Sequence, residues 1–312
     1  MSGDLRSALE RAVGADRVWQ DLELASMTTF KVGGPADWLV EPRSAGEIRE
    51  VLAIARRERL PVTVIGGGSN LVVADNGVRG IVLRPRGGEI VLVAPDRVRA
   101  AAAVTINGLV RWTVSHALAG LELWAGTPGT VGGAVYGNAH FKGQLIGDLV
   151  ACAAVVAPDG SVSELSHDDM EFGYDTSRLQ RTREILLWAE FRVKAGDPDA
   201  LRRIARESLA YRKVTQPLNV PSAGCIFQNP DPAKDLLPAG VPASAGALID
   251  RAGLKGHRVG GARVSPTHGN FIVNDRGATA ADIRQLVEEC KRVVRREFGV
   301  DLKEEIVYLG EF

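Results

Sequence analysis

Gly126-Thr127-Pro128-Gly129-Thr130-Val131-Gly132-Gly133-Ala134-Val135-Tyr136-Gly137-Asn138 holds five glycines and a proline. Such density inside a domain is unfavourable unless the backbone must touch something closely. A second run of the same character, Gly66-Gly67-Gly68-Ser69-Asn70, follows the strand-like Val62-Thr63-Val64-Ile65. Its amides can converge on phosphate oxygens, and Ser69 and Asn70 can add side-chain hydrogen bonds. A plain tight turn is the competing explanation. No Gly-Lys-Ser/Thr follows, so it is not a Walker loop, and the spacing is not that of the G-x-G-x-x-G fingerprint. Two such loops suggest one extended ligand, with a pyrophosphate at one and a ring system at the other. A dinucleotide flavin has that shape.

Outward from these loops, the apolar spacing organises the chain. Leu5, Leu9 and Val13 share one face of a helix over 4–13. A strand is expected at 38–40. Ser44 and Glu47 have the spacing of a capping box before Ile48, Val51, Leu52 and Ala55, which fall at helical intervals. This gives a βαβ-like opening region that ends near residue 85. From 90 to 195 the texture is α+β, with strand-like runs at 90–93, 151–156 and 185–193 and a helix over 106–119. Gly196-Asp197-Pro198 reads as a linker. Beyond it come a helix over 198–213, strands at 225–227 and 270–273, and a long helix after Thr279. That helix carries Ile283, Leu286, Val287, Cys290 and Val294 on one stripe. The alternating run 305–309 is a last strand.

Bulk properties exclude several function classes. A chain of 312 residues suggests two or three domains. Lys plus Arg and Asp plus Glu are both 38, so the basic excess of a nucleic-acid binder is missing. Cys152, Cys225 and Cys290 are odd in number and form no CxxC pair, which indicates neither a disulfide framework nor a zinc site. The five histidines form no metal-ligand pattern, and no metal is expected. The N-terminus lacks a secretory signal and no run spans a bilayer, so a cytoplasmic protein without membrane or nucleic-acid partners is expected.

Thr29-Phe30-Lys31-Val32-Gly33-Gly34, the loop at 66–70 and the stretch 126–138 together resemble the FAD-binding domain of the vanillyl-alcohol oxidase type. Further blocks resemble the UDP-N-acetylenolpyruvoylglucosamine reductase family. They are Tyr211-Arg212 with Gln216-Pro217, the run from Pro221 to Pro230, Ala245-Gly246, Gly253-Leu254-Lys255-Gly256, the run from His268 to Asn274, and the terminal block from Leu302 to Gly310. The resemblance covers about 20–310 with its motifs in order. The short segment after Val193 matches the family's shorter, second type.

The resemblance implies an α+β fold: a two-part FAD-binding domain (1–85 and 86–195), a smaller α+β substrate-binding domain (196–300) and a terminal strand (301–312) carrying a catalytic glutamate. It implies non-covalent FAD, NADPH as co-substrate and UDP-N-acetylglucosamine enolpyruvate as substrate, with flavin N5 delivering hydride to the enolpyruvyl β-carbon. Gly66, Gly67, Gly68, Ser69, Asn70, Leu71, Thr127, Pro128, Gly129, Gly132, Gly133 and Asn138 are the implied cofactor contacts. Tyr211, Arg212, Gln216, Asn229 and His268 are implied at substrate or NADPH, and Lys255 and Arg263 at the UDP pyrophosphate. His116 and His140 could suggest a covalent flavin, which the family does not use. A monomer or weak oligomer is expected. The alternative is an oxidase or dehydrogenase of the same FAD fold acting on an alcohol or hydroxy acid.

Two positions depart from the family pattern. Its proton donor is normally a serine, and this chain has Cys225 there. A thiol, with a pKa of about 8.5, is a competent acid near neutrality; a small apolar core residue is the competing role. Cys290, on a helical stripe, and Cys152 are expected in the core. Glu305 aligns with the catalytic glutamate, and its neighbour Glu304 would face the other way on a strand. The family's arginine in Tyr-Arg-x-Ser is Asp175 here, in Tyr174-Asp175-Thr176-Ser177-Arg178. Arg178 is the expected replacement cation, oriented by a bidentate pair with Asp175.

Overall fold

The computed structural model describes residues 2–235, 237 and 240–312. They form two compact units. The first gathers the chain through Asp21, from Asp37 to Gly67 and from Arg79 to Ala210. The second gathers Leu22–Ala36, Gly68–Val78 and Tyr211–Phe312.

The first unit carries two larger sheets and two two-stranded ones among the described residues. Of the larger two, one has the order Val18–Glu23, Pro35–Val40, Val78–Leu83, Val62–Val64, and its last two strands pair in parallel with Val62 opposite Ile81. The helices Ser2–Val13 and Ala45–Glu58 bury Leu9, Val13, Val51, Leu52 and Ala55 with Ile81 and Leu83. The helix starts where the sequence indicates, but the capping box is half formed. Ser44 Oγ accepts the Glu47 N–H at 3.2 Å, while the Glu47 carboxylate takes the Arg43 N–H at 2.6 Å and the Arg17 guanidinium at 2.7 Å. A cation outcompetes the neutral Ser44 amide for a carboxylate.

The other sheet is five-stranded and antiparallel, in the order Val162–Ser166, Val150–Val156, Ile185–Arg192, Arg97–Ala101, Ile90–Ala94. Its core holds Trp124 and Phe191, both fully buried, under the helix Ile106–Ser115. That helix ends four residues short of the expected 119, because Ala117 turns to φ +55, which cannot continue a helix. Cys152 is only half-buried, not core as expected, and lies beside Glu190.

The second unit packs the antiparallel strands Arg258–Val259, Ala262–Val264 and Ile272–Asn274 under the helices Ala245–Arg251 and Ala280–Phe298. Thr279 and Asp282 exchange a full capping box, and the Asp75 carboxylate accepts the next two amides, Ala280 N–H at 2.8 Å and Ala281 N–H at 3.0 Å. Gly299 at φ +70 ends the helix. The expected stripe of Ile283, Leu286, Val287, Cys290 and Val294 is buried throughout. A full burial of each aliphatic side chain is worth roughly 1.5–3 kcal/mol. Val307–Leu309 pairs in parallel with Leu71–Val73. The expected strand at 225–227 reduces to isolated bridges, Cys225 with Phe271 and Phe227 with Glu304. Gly224 at φ +81 and Pro230 bound the run, so no ladder propagates.

Burial pushes the Cys290 thiol up from 9.0 to about 12. Between those values the folded chain holds a proton that the unfolded chain has lost, so this contribution is complete below pH 9 and falls as pH rises. Cys290→Ala should cost about 1 kcal/mol at neutral pH. Its deficit should shrink above pH 9 by up to about 1.4 kcal/mol per pH unit, because the variant has no thiol to ionise there. Urea unfolding at pH 7.5 and 10 measures both; a pH-independent deficit would contradict the shift.

Candidate functional site

In the first unit the two glycine-rich loops meet. A Cβ on Gly67 would lie 2.6 Å from the Gly129 Cα, so side chains are excluded where the backbones touch. The N–H groups of Gly66, Gly67, Gly68, Ser69 and Asn70 make no backbone hydrogen bond among the described residues. A row of uncommitted amides on a partly exposed loop is a fitting cradle for phosphate oxygens. The loop at 126–138 is not all turn: Val131–Tyr136 is a short helix capped by Thr130, whose Oγ1 accepts the Gly133 N–H at 3.3 Å. Pro128 lies in the connection before it, and Gly132 donates its N–H to Ala102 O at 2.8 Å.

Asn107 carries no sequence signal of its own, yet it sets the geometry of this loop. Its amide accepts from the Gly126 N–H at 2.7 Å and donates to Thr127 O at 3.0 Å. Nothing in its own neighbourhood marks it, since its partners lie about a loop away in the chain. Asn138 is fully buried and bonded twice to backbone, donating to Gly173 O at 2.7 Å and accepting from Gly147 N–H at 2.8 Å. Its amide therefore braces the loop.

The expected Asp175–Arg178 pair does not form. Arg178 forks onto Glu184 at 2.9 and 3.0 Å, six residues on, and the same pairing holds its guanidinium more firmly protonated. Asp175 instead accepts from His140 Nδ1 at 2.8 Å. The reason is local. Asp175 sits at φ +56 in a tight turn bridged between Gly173 and Thr176, and this aims its carboxylate away from Arg178. His116 stacks on Trp112 with ring centroids 3.9 Å apart.

In the second unit, the backbone of Glu305 is clamped from both sides. Its N–H donates to Ile226 O at 2.8 Å, and its carbonyl accepts from Asn70 Nδ2 at 2.9 Å. Asn70 O in turn accepts the Val307 N–H at 2.9 Å. Glu305 thus precedes the strand Val307–Leu309, which is shorter than the expected 305–309, and Leu71 is the partner of Val307 within that ladder. Glu304 is committed elsewhere: Lys291 holds its carboxylate at 2.8 Å. Gly68, at φ +64, presses on the Met27 carbonyl, where any side chain would collide.

Cys225 is half-buried, next to Ile226, whose N–H donates to Asn270 O at 2.9 Å. The Asn270 side chain spans the next residue, accepting from Phe227 N–H at 2.9 Å and donating to Phe227 O at 2.7 Å. His268 Nδ1 accepts the Asn270 N–H at 3.2 Å, and burial holds its imidazole below the ordinary histidine value, with Lys255 adding to the effect. Asn229 Oδ1 receives the Ala245 N–H at 3.1 Å. Arg212 is 6% exposed, and burial lowers its guanidinium to about 10, partly opposed by Cys225. That interaction places a buried cation in the field of the Cys225 sulfur. Tyr211 is exposed and Gln216 half-buried at the end of the same helix, Pro198–Thr215. Lys255 pairs with Asp250 at 2.7 Å, and Arg263 with Asp275 at 3.2 Å. The structure therefore brings Asn70, Glu305 and the 225–227 backbone into one hydrogen-bonded frame, with Arg212 electrostatically coupled to Cys225. No helix among the described residues is long and apolar enough to cross a membrane.

Known proteins match this chain along its length. An FAD binding domain model covers residues 35–166, and a model of the C-terminal domain of UDP-N-acetylenolpyruvoylglucosamine reductase covers 216–309. The UDP-N-acetylenolpyruvoylglucosamine reductase of Bacillus velezensis is 37% identical over 312 residues, 99% of either chain. That of Synechococcus sp. (strain WH7803) is 41% identical over 297 residues, 93% of either chain. The crystal structure of the Thermus caldophilus reductase superposes with a TM-score of 0.78 at 34% identity, covering 94% of this chain and 99% of its own. The fold is the expected α+β arrangement, an FAD-binding domain of the vanillyl-alcohol oxidase type with a smaller substrate domain. With its length and its full set of ordered blocks, the chain belongs to the UDP-N-acetylenolpyruvoylglucosamine reductase family, in its shorter form.

Proposed function

We propose that this chain reduces the enolpyruvyl double bond of UDP-N-acetylglucosamine enolpyruvate to give UDP-N-acetylmuramate for peptidoglycan, with NADPH as electron source. Full-length similarity to reductases carries the reading. The match over 216–309 is what separates it from an oxidase sharing only the FAD-binding fold. FAD, when bound, would supply the hydride chemistry that links NADPH to the substrate double bond. The uncommitted amides at 66–70 hold its pyrophosphate, and Thr127, Pro128, Gly129, Gly132 and Gly133 line its approach. Asn138 and Leu71 complete the cofactor set, Asn138 bracing its loop through hydrogen bonds to backbone and Leu71 standing opposite Val307 in the parallel ladder.

The chain's own groups handle the charge and the proton. As the β-carbon gains hydride, negative charge builds on the α-carbon and its carboxylate. The Cys225 thiol gives its proton to the α-carbon. Glu305, fixed through its backbone to Ile226 and Asn70, assists at the same carbon, and Arg212 supplies positive charge beside the thiol. Tyr211, Gln216, Asn229 and His268 bind substrate or nicotinamide, with Lys255 and Arg263 at the diphosphate. Arg178, neutralised by Glu184, is left outside this scheme. The working division is 1–85 and 86–195 for FAD, 196–300 for substrate and 301–312 for the glutamate segment, in a cytoplasmic monomer or weak oligomer.

The purified protein should be yellow and release intact FAD on heating or in acid. NADPH should bleach the bound flavin without oxygen, and the enolpyruvyl sugar should restore its colour. Flavin that stays on the denatured polypeptide contradicts non-covalent binding; bleached flavin that the sugar leaves unchanged contradicts the substrate.

A further inference from the structure

Glu304 and Glu305 carry the same side chain on consecutive residues, and on extended backbone the two leave the chain in opposite directions. Their segment lies antiparallel against 226–228. Glu305 N–H donates to Ile226 O and Gln228 N–H to Lys303 O, both at 2.8 Å, with a bridge between Phe227 and Glu304. The continuous ladder with Leu71–Val73 begins at Val307, beyond both glutamates. Backbone bonds are the same for every residue, so they do not tell one glutamate from the next, and a slip of one residue exchanges the two faces.

Side chains make the distinction. Lys291, on the helix Ala280–Phe298 and next to the buried Cys290, extends its ammonium to the Glu304 carboxylate at 2.8 Å and to Glu288 at 3.0 Å. The bond to Glu304 is the main reason this ammonium is held more firmly protonated than an ordinary lysine's. The Glu304 side chain is 19% exposed, so water screens the pair less than it screens a surface pair. A slip that moved Glu304 into the place of Glu305 would turn Lys303 towards Lys291, setting like charges face to face. A slip the other way would carry Ile306, 5% exposed, out of its core position and into the place of Glu305. The ion pair closes one direction and Ile306 the other.

We propose that Lys291 is a positioning residue for the reduction. By pinning Glu304 it fixes the register of 303–305 and so selects Glu305 as the carboxyl group that serves the substrate. Lys291 acts through Glu304 and the backbone between the two glutamates, and has no part of its own in the chemistry. This rests on the proposed reductase activity and on the role of Glu305 in it.

The test is stopped-flow kinetics of the two half-reactions in the flavin-loaded enzyme. In Lys291→Gln, flavin reoxidation at saturating enolpyruvyl sugar should slow by about 10- to 100-fold, the scale of a misplaced reacting group. The sugar concentration at half-maximal rate, and flavin reduction by NADPH, should stay within about threefold of the parent. Lys291→Arg keeps a cation against Glu304 and should reoxidise within about threefold of the parent. Reoxidation within about threefold of the parent in Lys291→Gln overturns the proposal. So does an equal loss of both half-reactions in a variant that keeps its flavin, and so does a Lys291→Arg as slow as Lys291→Gln. If Lys291→Gln does not fold, Glu304→Gln decides, because it breaks the same pair from the other side: an unchanged reoxidation rate there overturns the proposal. A parent enzyme that the sugar does not reoxidise sinks the reductase reading instead.

Discussion

Cys225→Ala is expected to slow flavin reoxidation by the enolpyruvyl sugar by about 10²–10⁴-fold, the range that a positioned general acid contributes. Flavin reduction by NADPH should change little, because no proton reaches the substrate in that step. The selectivity follows from how Cys225 is held. Gly224 at φ +81 turns the chain into it, Ile226 N–H is fixed to Asn270 O, and Ile226 O holds the Glu305 N–H. The backbone bonds flanking Cys225 are ones that an alanine leaves intact. Cys225→Ser restores the family's usual donor and should keep substantial turnover. Peroxide should inactivate the parent more than the serine variant, because a thiol climbs an oxidation ladder closed to a hydroxyl. Stopped-flow traces of each half-reaction decide the matter; an equal loss in both would make Cys225 a packing residue.

What the sequence discloses and what it hides divide along physical lines. The helix Ala280–Phe298 was readable because its stripe, its Thr279 cap and its Gly299 stop are local signals. The same holds for Ala45–Glu58, although Arg17, thirty residues away, diverts the Glu47 carboxylate from its box. The order of the family blocks singles out the two glycine-rich loops and the 225–230 segment. Pairings set by tertiary structure were out of reach. Asp175 and Arg178 are close in sequence and of opposite charge, yet the turn at 173–176 sends one to His140 and leaves the other to Glu184. Asn107 reaches across to Gly126 and Thr127 with no pattern of its own. The family block favours Glu305 over Glu304, and the reason Glu304 is diverted, Lys291 on a different element, appears only in three dimensions.

Arg212 offers the sharpest separation of stability from function. Burial lowers its guanidinium from its ordinary value to about 10. For a base, a folded value below the unfolded one means that the fold disfavours the charged form. The penalty is present in full below pH 10 and is relieved only as pH rises above that value. The shift corresponds to a burden on the order of 3 kcal/mol at neutral pH. Replacing a buried charge with an apolar side chain of similar length is often neutral or stabilising. Arg212→Met should accordingly melt no lower than the parent. It should also slow flavin reoxidation by the enolpyruvyl sugar by about 10²–10³-fold, the scale of one lost electrostatic stabiliser. Arg212→Lys should recover only part of the rate, since an ammonium lacks the planar fork. Melting curves and half-reaction rates on the same preparations test the two claims together. A Met variant that loses stability and keeps its rate would make Arg212 a structural residue, and the charge beside Cys225 would then have to come from another group.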